Sequence, residues 1–247
     1  MKSICYDVHH AIARRWFLAA LIATTVALYL SVGQATYGLI GYLESYELFE
    51  ENSFGYSMTD MLTMGMKGDF GLLTLPALSA LPFAAQALHE IKSGAIRPAV
   101  FRTGRKNWII GKVAGCVISG MLLQGAAVGL LFLILNGLTV AMIRQGFPWG
   151  EGGDFWPILL RRMLCGGIWA GVGCIIALAT ETASAAYLAP LCLCYALMMI
   201  GTRFFPDVAM LNPMQWVNGA AWLLVVLLII TIALQALFLK RGVQRYA

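Results

Sequence analysis

Six long apolar runs, separated by polar segments, constrain the fold of this 247-residue chain more than any other feature. The runs are residues 16–32, 71–88, 109–135, 158–180, 183–202 and 220–239. A helix of about 20 apolar residues crosses the hydrocarbon core of a bilayer, so each run is able to span a membrane once. With 60% hydrophobic and 12% charged residues, the chain has too little polar surface to coat a soluble domain. The sequence therefore predicts an all-α, polytopic membrane protein that forms a single transmembrane domain over residues 1–247.

The distribution of basic residues predicts how the six spans are oriented. The side that holds both termini and the segment 89–112 carries 12 of the 17 Lys and Arg residues. By the positive-inside rule this side is cytoplasmic, which places both termini and an inner loop, 89–108, in the cytosol. The acidic segment 34–70 then forms a long outer loop. These orientation signals explain the net charge of +5. We therefore expect the chain to be surrounded by the lipid bilayer and not to bind nucleic acid.

The segment before the first run has the pattern of a surface helix. Ile4, Val8 and Ile12 lie four residues apart and form one apolar stripe, which predicts an N-terminal helix lying along the membrane interface. A removable signal peptide is the alternative, because Gly33 and Ala35 resemble a cleavage site after the first apolar run.

Two features predict the geometry of the spans. Pro76 and Pro82 lie in the second run, where they remove backbone donors and should kink the helix. Glycines four residues apart let helix backbones approach closely, and the simplest interpretation of such pairs is helix packing. The pairs are Gly111 with Gly115, Gly125 with Gly129, and Gly167 with Gly171.

The search for catalytic motifs is mainly negative. His89-Glu90 begins like the zinc-protease motif H-E-x-x-H, but its fifth position is Ser93. Gly111-Lys112 lacks the preceding glycine and the following hydroxyl residue that a P-loop needs. The six cysteines include no C-x-x-C pair. The chain is thus not expected to be an enzyme, to hold a metal or to bind a cofactor by itself.

Arg161 and Arg162 are charged residues near the start of the fourth run, and they admit two interpretations. As structural residues they would extend, or snorkel, to the nearby headgroups. As functional residues, at least one would face a central cavity and meet an anionic group of a substrate. Both are therefore candidate residues of a substrate path.

The most specific segment connects the second and third runs, from His89 to Lys112. It contains Glu90, Gly94 four residues later, a short helical stretch that includes Val100 and Phe101, and a Lys seven residues after Arg105. This pattern resembles that of ABC-2 type transporter permeases, in which a coupling helix after the second span docks on a partner ATPase. The six spans with both termini inside, the surface helix before the first span and the polar outer segment before the last are also similar to that family.

The resemblance implies a role for each matching residue. Glu90 and Gly94 would shape the turn out of the membrane, residues 96–101 would form the docking helix, and Arg105 and Lys112 would hold the re-entry to the third span. Arg97 and Arg102 flank the two apolar residues of that helix, Val100 and Phe101, which need a partner surface to become buried. Pro98 departs from the pattern and is tolerated only in the first helical turn. The alternative is that this loop is only a positive-inside anchor.

The resemblance implies a permease subunit of an ATP-driven exporter in the plasma membrane of a bacterium. Its partners would be an ABC ATPase subunit, which holds ATP and Mg, and a second permease that forms a homodimer or a heterodimer. The few polar groups in the spans favour an amphipathic or hydrophobic cargo, such as a peptide, toxin or drug-like molecule. An ion-coupled secondary transporter and an intramembrane enzyme are the alternatives, although no ionisable or reactive cluster supports either.

Overall fold

The computed structural model describes residues 15–44, 57–143, 149–150, 153–206, 208 and 211–246, and this part of the chain is helical without strands. Its elements, which we number in chain order, are α1 (Arg15–Glu44), α2 (Met58–Lys67), α3 (Asp69–Ala80), α4 (Gln86–Lys92), α5 (Ile96–Thr103), α6 (Arg105–Ile143), α7 (Phe155–Thr180), α8 (Ala185–Phe204), a 3-10 turn (Pro213–Gln215) and α9 (Ala221–Tyr246). The predicted surface helix at Ile4, Val8 and Ile12 lies outside the described residues.

Within the described residues, five helices are long and apolar enough to cross a membrane, as expected for a multi-pass membrane protein. They are Arg15–Gly33 of α1, Arg105–Leu138 of α6, Phe155–Thr180 of α7, Ala185–Phe204 of α8 and Ala221–Gln244 of α9. These correspond to the first, third, fourth, fifth and sixth predicted runs, each within a few residues at its start. These stretches are apolar and have no proline near their centres. In the bilayer a helix is the conformation in which each such stretch can hydrogen-bond all of its own backbone groups.

The second predicted span differs from the expectation of one kinked helix over 71–88. Pro76 is accommodated inside α3, but the helix ends at Ala80, and residues 81–85 form turns around Pro82 before α4 begins. Proline has no N–H to donate and its ring clashes with the carbonyl four residues earlier, so the helix breaks rather than bends. The turn is covered by protein, since Phe83, Ala84 and Ala85 are buried.

The segment from α3 to α4 runs alongside α7 in the same direction. Gly71 lies beside Arg162 near the start of α7, and Lys92 contacts the carbonyl of Glu181 just beyond its end. Between them, a Cβ on Gly173 would lie 2.9 Å from Ala80 Cβ. At 1.5 Å per residue, the stretch of α7 from Arg162 to Glu181 rises about 28 Å, close to the thickness of a hydrocarbon core. The broken segment therefore covers the same distance as its spanning neighbour.

The long helices, together with the α3–α4 segment, alternate in direction along the chain and give the bundle two distinct ends. Near one end, α4, α5 and the final turns of α9 come together, with Ile91 Cδ1 3.1 Å from a Cβ built on Gly242. We call this the α5 end. At the other, the α2 end, α2 packs between α1 and α6, where a Cβ on Gly65 would meet Val32 and Leu131. The basic segment 89–112 and α2 thus lie at opposite ends of the bundle.

The expected outer loop, 34–70, is helical in the part that the structure describes. α1 continues through residues 34–44, and α2 occupies Met58–Lys67, whereas residues 45–56 lie outside the described part. α2 begins with a capping box, because the Ser57 side chain accepts from the Asp60 N–H and the Asp60 carboxylate accepts from the Ser57 N–H. Hydrogen bonds from the Ser57 side chain and backbone lower the pKa of Asp60. A buried stripe on α2 is formed by Met58, Leu62 and Met66. The polar composition of the segment gave no indication of this helix.

A close helix contact joins α6 to α7 at two glycines. A Cβ on Gly120 would lie 2.5 Å from Gly166 O, and a Cβ on Gly166 would lie 2.6 Å from Gly120 O. No side chain fits between these backbones, so small residues at both positions are what permit the approach. Of the predicted glycine pairs, Gly167 and Gly171 do face neighbouring side chains, but Gly129 has nothing within 4 Å.

Candidate coupling site

α5 is a short helix that projects from the bundle between two glycines with positive φ. Gly94 precedes it with φ +75°, and Gly104 ends it with φ +79°. Neither glycine has a heavy atom within 4 Å of a Cβ position, so backbone conformation rather than crowding requires glycine there. Pro98 occupies the first turn of α5, where its missing N–H has no helical partner to lose. The helix spans Ile96–Thr103, which contains the predicted 96–101 stretch.

One side of α5 is attached to the bundle. Ile96 is 0% exposed and belongs to a buried apolar cluster that also contains Trp108 of α6, Ile91 of α4, and Leu239 of α9. Ala99 and Val100 are half-buried against the same cluster. The first turn of α5 therefore belongs to a buried cluster to which three other helices also contribute.

The opposite side of α5 exposes one large apolar side chain, which is surrounded by basic residues. Phe101 is 92% exposed, the highest value among the large hydrophobic side chains that the structure describes. The neighbouring predicted residues Arg97, Arg102 and Arg105 are also exposed. An aromatic side chain loses about 1.5–3 kcal/mol of hydrophobic stabilisation when it stays in water. Phe101 is thus an apolar side chain that the described part of the chain leaves uncovered.

Glu90 and Lys112 form an ion pair that connects α4 to α6. Lys112 Nζ lies 2.7 Å from Glu90 Oε1, and the side chains are 5% and 23% exposed respectively. Gln86 Nε2 donates to the same Oε1 at 3.0 Å, and Lys112 Nζ stands 5.6 Å from the centroid of the Phe83 ring. The resemblance had given these two residues separate roles at the turn and at the re-entry. The structure brings them together, although they lie 22 residues apart in sequence.

A second connection at the α5 end was missed by the sequence analysis. Lys92 Nζ donates to the carbonyl oxygen of Glu181, which directly follows α7. Glu181 has φ +55°, and it is the one non-glycine residue with positive φ in the described part of the chain. Because L-residues other than glycine pay about 1–2 kcal/mol for this conformation, the Lys92 contact helps to hold it. No sequence pattern predicts a Glu in the left-handed conformation at the C-terminal end of a helix, because glycine is the usual residue there.

Arg162 belongs to a buried polar network near the α2 end. It is 0% exposed, so the snorkelling interpretation is wrong for this residue. Its Nη1 donates to Met66 O at 2.7 Å, its Nη2 to Gly71 O at 2.9 Å, and its Nε to Gln124 Oε1 at 3.1 Å. Gln124 Nε2 in turn donates to Ser79 Oγ at 2.8 Å. The guanidinium therefore ties the junction between α2 and α3 to α6.

The physical reason for this burial is the set of carbonyls at the α2–α3 junction. Met66 lies in the last turn of α2, where carbonyl oxygens lack helical partners and carry partial negative charge. A cation with several donors satisfies such oxygens without reaching water. Arg161 points elsewhere: its Nη1 lies 3.5 Å from the carbonyls of Val217 and Asn218. The substrate-path role of the two residues stays a prediction.

Other chemistry is sparse in the described residues. They contain no group of three or more His, Cys, Asp or Glu residues arranged to hold a metal ion. The cysteines that the structure describes are free, and all except Cys192 are buried.

Comparison with known proteins adds no family assignment: no protein-family model matches the chain, and no curated protein matches it.

Proposed function

We propose that this chain is the membrane-spanning permease subunit of an ATP-driven exporter of the ABC-2 type, and that α5 is the helix on which a separate ATPase docks. The observation that carries the proposal is Phe101, which is 92% exposed on a helix whose other side is fixed to the bundle. The chain itself is not an enzyme in this proposal, because ATP and Mg belong to the partner subunit.

The geometry of the α5 end supports transmission of force from such a partner. α4, α5 and α6 are joined by the Glu90–Lys112 ion pair and by the buried contacts of Ile96. A push on α5 would therefore move α4 and α6 together instead of deforming a loop. Rigid elements that move as a unit are the usual carriers of such conformational change.

The direction of the helices supports six crossings. The broken α3–α4 segment runs parallel to α7 over about 28 Å, and it would therefore be the second of six spans. With that segment counted, α5 and the end of α9 fall on one side of the membrane, which the positive-inside rule makes cytoplasmic. The N-terminus would be cytoplasmic as well.

The cargo and the assembly follow from the same proposal. A second permease, identical or related, would complete the path, in the plasma membrane of a bacterium. The cargo would be amphipathic or hydrophobic, such as a peptide, a toxin or a drug-like molecule, because the described spans expose apolar side chains and keep Arg162 and Lys112 internal.

The first experiment replaces Phe101 with a photoreactive phenylalanine analogue and crosslinks in intact cells. We expect an adduct with a protein that contains a P-loop ATPase motif, identified by mass spectrometry. The matched control carries the same analogue at Trp222, which is 70% exposed but lies at the opposite end of α9 from the α5 end. This control should crosslink to lipid or to another membrane chain.

The second experiment measures binding of that ATPase to the purified permease with Phe101→Ala and Phe101→Leu. Loss of an aromatic anchor at an interface costs about 2 kcal/mol or more, so we expect Phe101→Ala to weaken binding by about thirtyfold. Phe101→Leu should retain much of the affinity. Adducts that never include a P-loop protein, or equal affinity of Phe101→Ala and the unmodified chain, would refute the docking role.

A further inference from the structure

A small cavity opens at the α5 end between α4, α7 and α9. Its volume is about 170 Å³, and its apolar wall contains Leu88 of α4, Leu178 of α7 and Phe238 of α9. When volume is counted as the space open to water centres, as here, about 10–15 Å³ holds one water molecule, so the cavity has room for several small groups. It is therefore too small for a folded peptide and suited to a head group and the first carbons of a chain.

The rim of this cavity carries three charged residues with a positive sum. Lys92, Arg241 and Glu181 line it, from α4, α9 and the end of α7 respectively. Lys92 donates one N–H to the Glu181 carbonyl, and an ammonium has three donors, so two remain for a ligand. Arg241 is exposed and adds a planar fork of donors that matches phosphate geometry.

We propose that this cavity binds the phosphate and glycerol region of an anionic phospholipid. Lys92 and Arg241 would hold the phosphate, while the beginnings of the acyl chains would lie against Leu88, Leu178 and Phe238. The lipid is favoured over a free anion because the wall is apolar, and because α9 continues from the cavity with the outward-facing side chains of Leu234 and Leu237, 43% and 57% exposed. Basic pockets between membrane helices are known to take anionic head groups.

The proposal does not depend on the docking role of α5. It concerns residues of α4, α7 and α9, and it holds whether or not an ATPase binds Phe101. It does require that the α5 end meets a lipid leaflet, which agrees with the apolar spans that lead to it. Its failure would therefore leave the proposed coupling site untouched.

The test is native mass spectrometry of the purified full chain after release from nanodiscs that contain equal amounts of phosphatidylglycerol and phosphatidylcholine. We expect retention of phosphatidylglycerol by the unmodified chain. The double variant Lys92→Gln with Arg241→Gln should bind it about thirtyfold more weakly, since each cation near an anionic membrane surface contributes about fivefold. The charge-preserving variant Lys92→Arg with Arg241→Lys should keep most of the binding.

The matched control removes two positive charges from the same end outside the cavity, with Lys106→Gln and Lys240→Gln, both exposed in the structure. This control should bind phosphatidylglycerol as the unmodified chain does. Leu178→Trp tests the cavity itself: it fills the apolar wall, keeps both cations, and should abolish retention of the lipid. It also decides the question if the double glutamine variant does not fold.

Four results would overturn the proposal. They are equal retention of the two lipids, an equal loss in the control and in the double variant, unchanged binding in Leu178→Trp, and displacement of the lipid by glycerol phosphate at matched concentration. The last result would show that the site recognises a soluble anion and not a phospholipid.

Discussion

Replacing Arg162 with Met should destabilise the protein strongly, and the structure sets the scale. The substitution keeps much of the side-chain volume but removes the donors to Met66 O, Gly71 O and Gln124 Oε1. Each hydrogen bond from a charged group contributes about 1.5–3 kcal/mol, and each acceptor left buried and unpaired costs a further amount. Against this stands the relief of no longer burying a cation, which offsets several kcal/mol. We expect a net loss of about 3 kcal/mol in the free energy of unfolding.

The assay is thermal unfolding of the purified protein in mild detergent, followed by tryptophan fluorescence. For a chain of this length, about 3 kcal/mol corresponds to a decrease in Tm of about 6–12 °C. Hydrogen exchange should also become faster at the α2–α3 junction, because its carbonyls lose their attachment to α7. Arg162→Lys should lose less stability, since an ammonium still reaches one or two of the three acceptors.

The matched control is Arg161→Met, which removes the same charge from the adjacent residue. Arg161 makes only long contacts, 3.5 Å from two carbonyls, so its loss should lower Tm by less than about 3 °C. If Arg162→Met and Arg161→Met unfold at the same temperature, the guanidinium does not hold the α2–α3 junction and the reasoning fails.

Three further predictions concern other parts of the bundle. Glu90→Gln removes the carboxylate beside the buried Lys112 ammonium and should lower the free energy of unfolding by about 2 kcal/mol. This is less than for a fully buried pair, because Glu90 is partly exposed. An unchanged Tm would show that the pair adds no stability. Gly166→Ala should lower Tm by several degrees because its Cβ meets Gly120 O at 2.6 Å, while Gly129→Ala, with open space around it, should leave Tm unchanged or slightly raised. The pKa of Asp60 lies below its ordinary value of 3.8, so its ionised form stabilises α2 above that pH and the stabilisation is lost as pH falls through the lowered pKa. The Tm difference between the unmodified chain and Asp60→Asn should be constant from about pH 5 to 8 and should decrease as the pH falls below 3.8.

The spanning helices could be predicted from sequence because hydropathy alone determines them. The five helices that are long and apolar enough to span a membrane match predicted runs, and a helix, Ile96–Thr103, covers the stretch 96–101; its coupling role stays a prediction. The second run was harder, because its hydropathy is continuous across Pro82. Only the local backbone shows that α3 ends at Ala80 and that the chain turns before α4.

The contacts between helices could not be predicted, because they depend on which residues face one another. Arg162 is close to a span boundary, and this position favours snorkelling in the absence of a partner. Its partner Met66 belongs to a segment whose polar composition indicated an outer loop, and its partner Gly71 is the first residue of the second predicted run. Likewise, Gly120 and Gly166 are not part of any predicted glycine pair, and their approach depends on the register of α6 against α7.

The length of α6 determines how far its distal end moves when the helix tilts at the α5 end of the bundle. At 39 residues it extends about 58 Å, almost twice the thickness of a hydrocarbon core, and it begins directly after the glycine that ends α5. A tilt of about 10° around its base would sweep its distal tip through about 10 Å. A small change in the direction of the first turn of α6 would therefore grow along the helix and produce its largest displacement at the end farthest from Gly104.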